Sequence, residues 1–141
     1  HGKLTNKNIS LHESLAPDTP ATVQEAVVHY ESALEGVSID LNILGVGPDG
    51  HVASLFPGIA DIDDQRTVFA ITDSPKPPAS RISFTMKQIN SAQEVWMVAA
   101  GESKAVAVTK IIEGDNSIPA SYVRGNSHTR LIVDTEAFFT E

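Results

Sequence analysis

Apolar positions recur along the chain with two different periods. Between residues 19 and 36, Val23, Ala26, Val27, Tyr30 and Leu34 keep the i, i+3/i+4 spacing of one helix face. Thr22 and Glu25 are spaced as a capping box, Pro20 suits an early first turn, and Gly36 is placed to stop the helix. Ile39 to Leu44 is a short, nearly continuous apolar run ending at Gly45, the pattern of a strand buried on both faces of a parallel sheet. Val68–Thr72, Arg81–Thr85, Val95–Ala100 and Arg130–Val133 are further strand candidates. Ser103–Glu113 reads as a second helix, with Ser103 as N-cap and Gly114 past its end. Its expected inner side is Ala105, Val106, Val108, Thr109 and Ile112. Strand–helix–strand alternation of this kind predicts an α/β layered fold with a mostly parallel sheet flanked by helices.

Composition narrows the classes. The 141 residues, 41% hydrophobic and 20% charged, suit one small globular domain or a piece of a larger one, and no repeat or low-complexity tract is present. No apolar run reaches the roughly 18 residues of a membrane helix. His1-Gly2-Lys3 is not followed by a secretory apolar segment, and cysteine is absent. The expectation is a cytoplasmic protein with no membrane partner, no disulfide, no thiol nucleophile and no cysteine–zinc site. A net charge of −8 has the wrong sign for a nucleic-acid binder. An anionic ligand would therefore depend on a few placed cations.

Candidate chemistry concentrates in Asp40-Leu41-Asn42-Ile43-Leu44-Gly45-Val46-Gly47-Pro48-Asp49-Gly50-His51. A buried strand running into three glycines places a turn where open α/β sheets collect ligands. Gly45, Gly47 and Gly50 satisfy the dinucleotide fingerprint, and Asp73 stands about 20 residues on as its acidic partner. Pro57-Gly58 breaks the chain too early for the long helix a pyrophosphate needs, and Pro48 removes a loop amide, so that reading is weak. His51 brings a proton acceptor to the turn, and Asp49 can orient the ring and stabilise its charged form. His1, His12, His29 and His128 read as surface residues. There is no G-x-S-x-G elbow and no H-E-x-x-H spacing. A hydrolase here would activate water directly, and no ligand spacing supports metal catalysis. Lys76, stiffened by Pro75, Pro77 and Pro78, and Arg81 are the placed cations for an anionic group.

The run Asp40 to Gly58, continuing through Val52-Ala53-Ser54-Leu55-Phe56-Pro57-Gly58, resembles the long motif of the 6-phosphogluconolactonases. Asp73-Ser74-Pro75-Lys76-Pro77-Pro78 with Arg81-Ile82-Ser83-Phe84-Thr85 resembles the family's second motif. Gly101-Glu102-Ser103-Lys104-Ala105 and Pro119-Ala120-Ser121 match later segments in the right order. The resemblance runs from about residue 20 onward. Related glucosamine-6-phosphate deaminases share the glycine turn but typically continue with Phe-Asn-Glu-Pro, which is absent here.

The resemblance implies a three-layer, Rossmann-like α/β domain that hydrolyses 6-phosphoglucono-1,5-lactone to 6-phosphogluconate, in the oxidative pentose phosphate pathway. His51 would be general base, with Asp49 orienting it. Amides of the turn at Gly45, Gly47 and Gly50 would face the developing oxyanion, and Lys76 and Arg81 the phosphate. The alternatives are a deaminase-like sugar-phosphate enzyme and a non-catalytic sugar-phosphate-binding fragment. The family's early Gly-Gly-Ser/Thr phosphate loop and Asp-Glu-Arg segment do not occur in this sequence. Residues 1–141 are therefore expected to be the C-terminal portion of a single domain, whose partner is the missing N-terminal part of the same fold.

Overall fold

The computed structural model describes residues 20–138, with side chains from Val23 onward. Helix α1 (Pro20–Leu34) buries Val23, Ala26 and Val27, as its spacing predicts. Gly36, at φ +70°, ends it, and the Val37 N–H donates to the Leu34 carbonyl at 3.0 Å. The expected Thr22–Glu25 capping contact lies outside the described side chains, and Thr22 falls inside the first turn because the helix already runs from Pro20.

Three strands form a parallel sheet in the order β1 (Leu41–Gly45), β4 (Glu94–Ala99), β5 (His128–Val133). Ile43, Trp96 and Arg130 stand in register, as do Leu44, Met97 and Leu131. Strands β2 (Val68–Ile71) and β3 (Arg81–Phe84) do not join this sheet. They pair antiparallel with each other across the proline-bearing loop 72–80. Tyr30 of α1 stacks on Phe84 of β3, ring centres 5.5 Å apart, so α1 packs against this pair.

Helix α2 (Met86–Asn90) is not among the elements expected from the sequence; only Met86 and Ile89 mark its buried side. The Thr85 hydroxyl caps it by accepting the Gln88 N–H at 3.2 Å. Helix α3 (Ala105–Glu113) crosses from β4 towards β5, and α4 (Thr135–Phe138) comes after β5. Gly114, at φ +70°, ends α3 as expected. The start of α3 differs from the sequence expectation. Ser103 lies within a 3₁₀ turn, Glu102–Lys104, and supplies no cap. Val106, Thr109 and Ile112 face outward, while Ala105, Ala107 and Val108 are buried and Ile111 packs against the core.

The expectation that Ile39–Leu44 is buried on both faces is half met. Asn42 and Leu44 point towards the core, but Leu41 and Ile43 are 39% and 64% exposed. Val98 and Ile132 share that open face, which no described residue covers. His29 and His128 are exposed as expected, while His1 and His12 lie outside the described residues. No described helix is long and apolar enough to cross a membrane.

Candidate active site

Beyond Gly45 the chain folds back on itself, closed by an antiparallel bridge between Val46 and Val52. The Gly47 N–H donates to the His51 carbonyl at 2.9 Å, and the Gly50 N–H to the Gly47 carbonyl at 2.9 Å. Two glycines are required by space. A Cβ on Gly47 would collide with the His51 ring and lie 2.6 Å from the Asp49 carboxylate, so its absence lets that pair rest on the backbone. Gly50 has φ +81°, and a Cβ there would meet Ile118 at 2.6 Å. A Cβ on Gly45, by contrast, would meet nothing within 4 Å. No helix starts after His51. A tight turn over 52–55 takes its place, with Leu55 N–H donating to the Val52 carbonyl at 2.9 Å and Ala53 at φ +50°. The helix N-terminus that a dinucleotide pyrophosphate needs is therefore missing from this turn.

The turn brings His51 Nδ1 to 2.5 Å from Asp49 Oδ1. Lys76, from the loop between β2 and β3, completes a cluster. Its Nζ is 3.3 Å from each Asp49 carboxylate oxygen and 3.3 Å from His51 Nδ1. Burial alone raises the Asp49 carboxyl pKa. The hydrogen bond, positive charge and backbone N–H of His51 outweigh it, and Lys76 adds to them, holding the group down at about 2. An ionised carboxylate only accepts, so Nδ1 carries the proton of this pair and Nε2 points away from Asp49. The cluster is open on one side: the side chains of Asp49 and Lys76 are 39% and 40% exposed.

The turn's amides are mostly spent internally. Val46 N–H donates to the Val98 carbonyl, Gly47 and Gly50 bond within the turn, and His51 N–H reaches Asp49 Oδ1 at 3.4 Å. From Val46 to His51, the Asp49 N–H is left as the amide without an intrachain acceptor among the described residues. Gly47 and Gly50 therefore shape the loop, and their own N–H groups are already engaged.

Arg81 does not stand beside Lys76 as a second free cation. Its Nε donates to the Pro78 carbonyl at 3.0 Å, and its Nη2 to the carbonyls of Lys76 and Pro77 at 2.9 and 2.6 Å. Two residues that carry no role in the sequence reading also matter. Buried Phe56 tilts against the His51 ring at 4.8 Å. Buried Ser83 accepts the Ser54 N–H on its hydroxyl at 3.0 Å, tying β3 to the turn after His51. Both sit inside the quoted motifs, and that is their only sequence signal. Among the described residues, no group of three or more histidine or carboxylate side chains is arranged to hold a metal ion.

Known proteins agree with this picture. The family described as glucosamine-6-phosphate isomerases/6-phosphogluconolactonase matches residues 3–133. A 6-phosphogluconolactonase of Streptomyces coelicolor is 40% identical over 142 residues, covering 90% of this chain and 54% of its own length. A 6-phosphogluconolactonase of Homo sapiens is 41% identical over 121 residues, covering 79% of this chain and 46% of its own. The crystal structure of 6-phosphogluconolactonase from Thermotoga maritima shares the fold at a TM-score of 0.69 and 31% identity, covering 79% of this chain and 51% of that one. The chain spans about half the length of the curated relatives it matches. Motif, fold and match over residues 3–133 converge: the chain belongs to the glucosamine-6-phosphate isomerase/6-phosphogluconolactonase family.

Proposed function

We propose that this chain carries the reacting centre of a cytosolic 6-phosphogluconolactonase, with His51 as general base. The observation that carries the reading is the 2.5 Å Asp49–His51 bond at a strand's carboxyl end, which occupies Nδ1 and leaves Nε2 as acceptor. A water on Nε2 gives up its proton as its oxygen attacks the lactone carbonyl carbon, and the carbonyl electron pair moves onto oxygen. The Asp49 N–H is the turn amide available to that oxyanion. Collapse of the intermediate breaks the ring C–O bond, and the imidazolium returns its proton to the departing ring oxygen. Asp49 stays ionised throughout and stabilises the charged ring. No cofactor takes part. Lys76 is the cation for the substrate's anionic end, a role that fits a chain of net charge −8.

The other half of the site is proposed to come from the N-terminal part that longer relatives possess. It would cover Leu41, Ile43, Val98 and Ile132 and close the open side of Asp49 and Lys76. The support is the exposure of that apolar face together with relatives about twice as long.

The test is hydrolysis of 6-phosphoglucono-1,5-lactone by the chain joined to an N-terminal half from a relative. His51→Asn is expected to lower kcat about 10²–10⁴-fold, the usual weight of a general base. A loss within threefold would remove His51 from the mechanism. Lys76→Ala is expected chiefly to raise KM. A fall in kcat at unchanged KM would move Lys76 from the phosphate to the oxyanion. Ammonia release from glucosamine 6-phosphate, or binding of 6-phosphogluconate without turnover, would favour the deaminase-like or non-catalytic alternatives.

A further inference from the structure

Two loops far apart in sequence meet at the cluster, and strand β3 holds both. Ser83 fixes the turn after His51, and Arg81 fixes the loop that carries Lys76. We propose that Arg81 is a positioning residue: it sets the Lys76 ammonium against Asp49 and His51 by gathering the backbone of residues 76–78. It does so without touching substrate. This inference rests on the reading of Asp49, His51 and Lys76 as the reacting centre.

The loop's own chemistry creates the need for such a residue. Pro77 and Pro78 have no N–H and cannot join a ladder, so the carbonyls of 76–78 need donors from elsewhere. Within the loop, the Ser74 N–H donates to the Ala79 carbonyl at 2.9 Å and the Lys76 N–H meets the Ser74 hydroxyl at 3.3 Å. Arg81 supplies the rest, bonding three consecutive carbonyls from one planar guanidinium. The guanidinium in turn lies 5.8 Å from the centre of the Phe56 ring, the ring that borders His51. Three hydrogen bonds outweigh that one ring contact, so moving Arg81 acts chiefly on the backbone under Lys76. A lysine cannot substitute, because a point charge on a flexible stem has no fork to span adjacent carbonyls.

The test has two arms, both on the chain joined to the N-terminal half of a relative. In the first, amide hydrogen exchange is measured in wild type, Arg81→Ala, Arg81→Lys and Lys76→Ala. The Ser74 and Lys76 amides are expected to exchange about tenfold faster or more in both Arg81 variants, with β4 amides unchanged. Lys76→Ala, which keeps the backbone bonds, should leave them slow. Should β4 also loosen in Arg81→Ala, Arg81→Gln replaces it, keeping a single amide donor on a shorter stem. In the second arm, Arg81→Ala and Lys76→Ala each lower kcat/KM. The double variant is expected within about twofold of Lys76→Ala alone, because both remove the same ammonium contact. Unchanged exchange at Ser74 and Lys76, restoration by Arg81→Lys, or losses that multiply in the double variant would overturn the proposal. A wild type without lactonase activity would sink the proposed function instead. The exchange arm would then still decide whether Arg81 sets the loop.

Discussion

The two faces of the β1–β4–β5 sheet are made from alternate residues of the same three strands, yet they differ in kind. One face carries Leu44, Val95, Met97, Ala99, Leu131 and Val133 into a core shared with Ile89, Val108 and Ile118. The other presents Leu41, Ile43, Val98 and Ile132 with nothing described over them. At its lower end that open face is polar: Trp96 Nε1 donates to Glu94 Oε2 at 2.8 Å, and Arg130 lies 5.6 Å from the Trp96 ring centre. A strand apolar on both sides calls for cover on both sides. The turn bearing Asp49 and His51 grows from the end of β1, one of the sheet's two edge strands. On the proposed reading, one N-terminal segment covers both the open sheet face and the open side of the site.

The largest expected effect comes from that shared gap. Residues 1–141 alone should show lactonase activity at least about hundredfold below the joined protein, the weight of a lost set of preorganised donors. They should also associate with rising concentration, since an unpaired edge beside an apolar face invites it. Sedimentation velocity and a lactone assay on the same samples check both. A monodisperse, fully active 141-residue chain would break the comparison between the faces.

A smaller effect separates the faces by mutation. Met97→Ala, on the covered side and 2% exposed, should cost about 2–5 kcal/mol of unfolding free energy in either context. Ile43→Thr should change the chain alone by no more than about 0.5 kcal/mol, as an exposed substitution does. In the joined protein the same change should cost about 1–3 kcal/mol, because a hydroxyl would then be buried without a partner. Urea unfolding of both variants and their parent, alone and joined, gives the numbers. Equal cost for Ile43→Thr in both contexts would mean that nothing covers that face.

Legibility from sequence divides along the same line, between local and long-range order. The turn at 45–51 can be read because its requirements are local: Gly47 must clear a ring four residues on, and Asp49 meets His51 two residues away. Strand positions are legible for the same reason. The pairing of β2 with β3 is not, since an apolar run records burial and carries no strand direction. The contact of Lys76 with Asp49 spans 27 positions and depends on a loop whose shape Arg81 enforces. Sequence identifies both cations but cannot distinguish the one that faces the cluster from the one that holds the backbone. The outer face of α3 is misplaced by its spacing because apolar residues run round the helix: Val106 and Ile112 are as apolar as the buried Val108 yet lie exposed.

The smallest expected effect concerns two carboxylates, one from each region. Asp49, in the cluster, is held at about 2 against an ordinary 3.8. Glu94, on the open face, is also lowered, first by the Trp96 hydrogen bond and then by the charges of Arg130 and His128. A depressed carboxyl stabilises the fold above its unfolded pKa and loses that contribution as pH falls through the folded value. The Asp49 contribution is therefore complete above pH 3.8 and fades towards pH 2. Solvent screening keeps it modest, since its side chain is 39% exposed. Carbon-detected NMR titration should place the Asp49 midpoint near 2, and Lys76→Ala should move it upward. Raising the salt should shift Glu94 more than Asp49, because its ion pairs lie in open solvent. Joining the N-terminal half should reverse that order for Glu94 by covering it, while the Asp49 bond to His51 stays as it is. A Glu94 midpoint indifferent to the added half would place that half elsewhere and leave the open face to another partner.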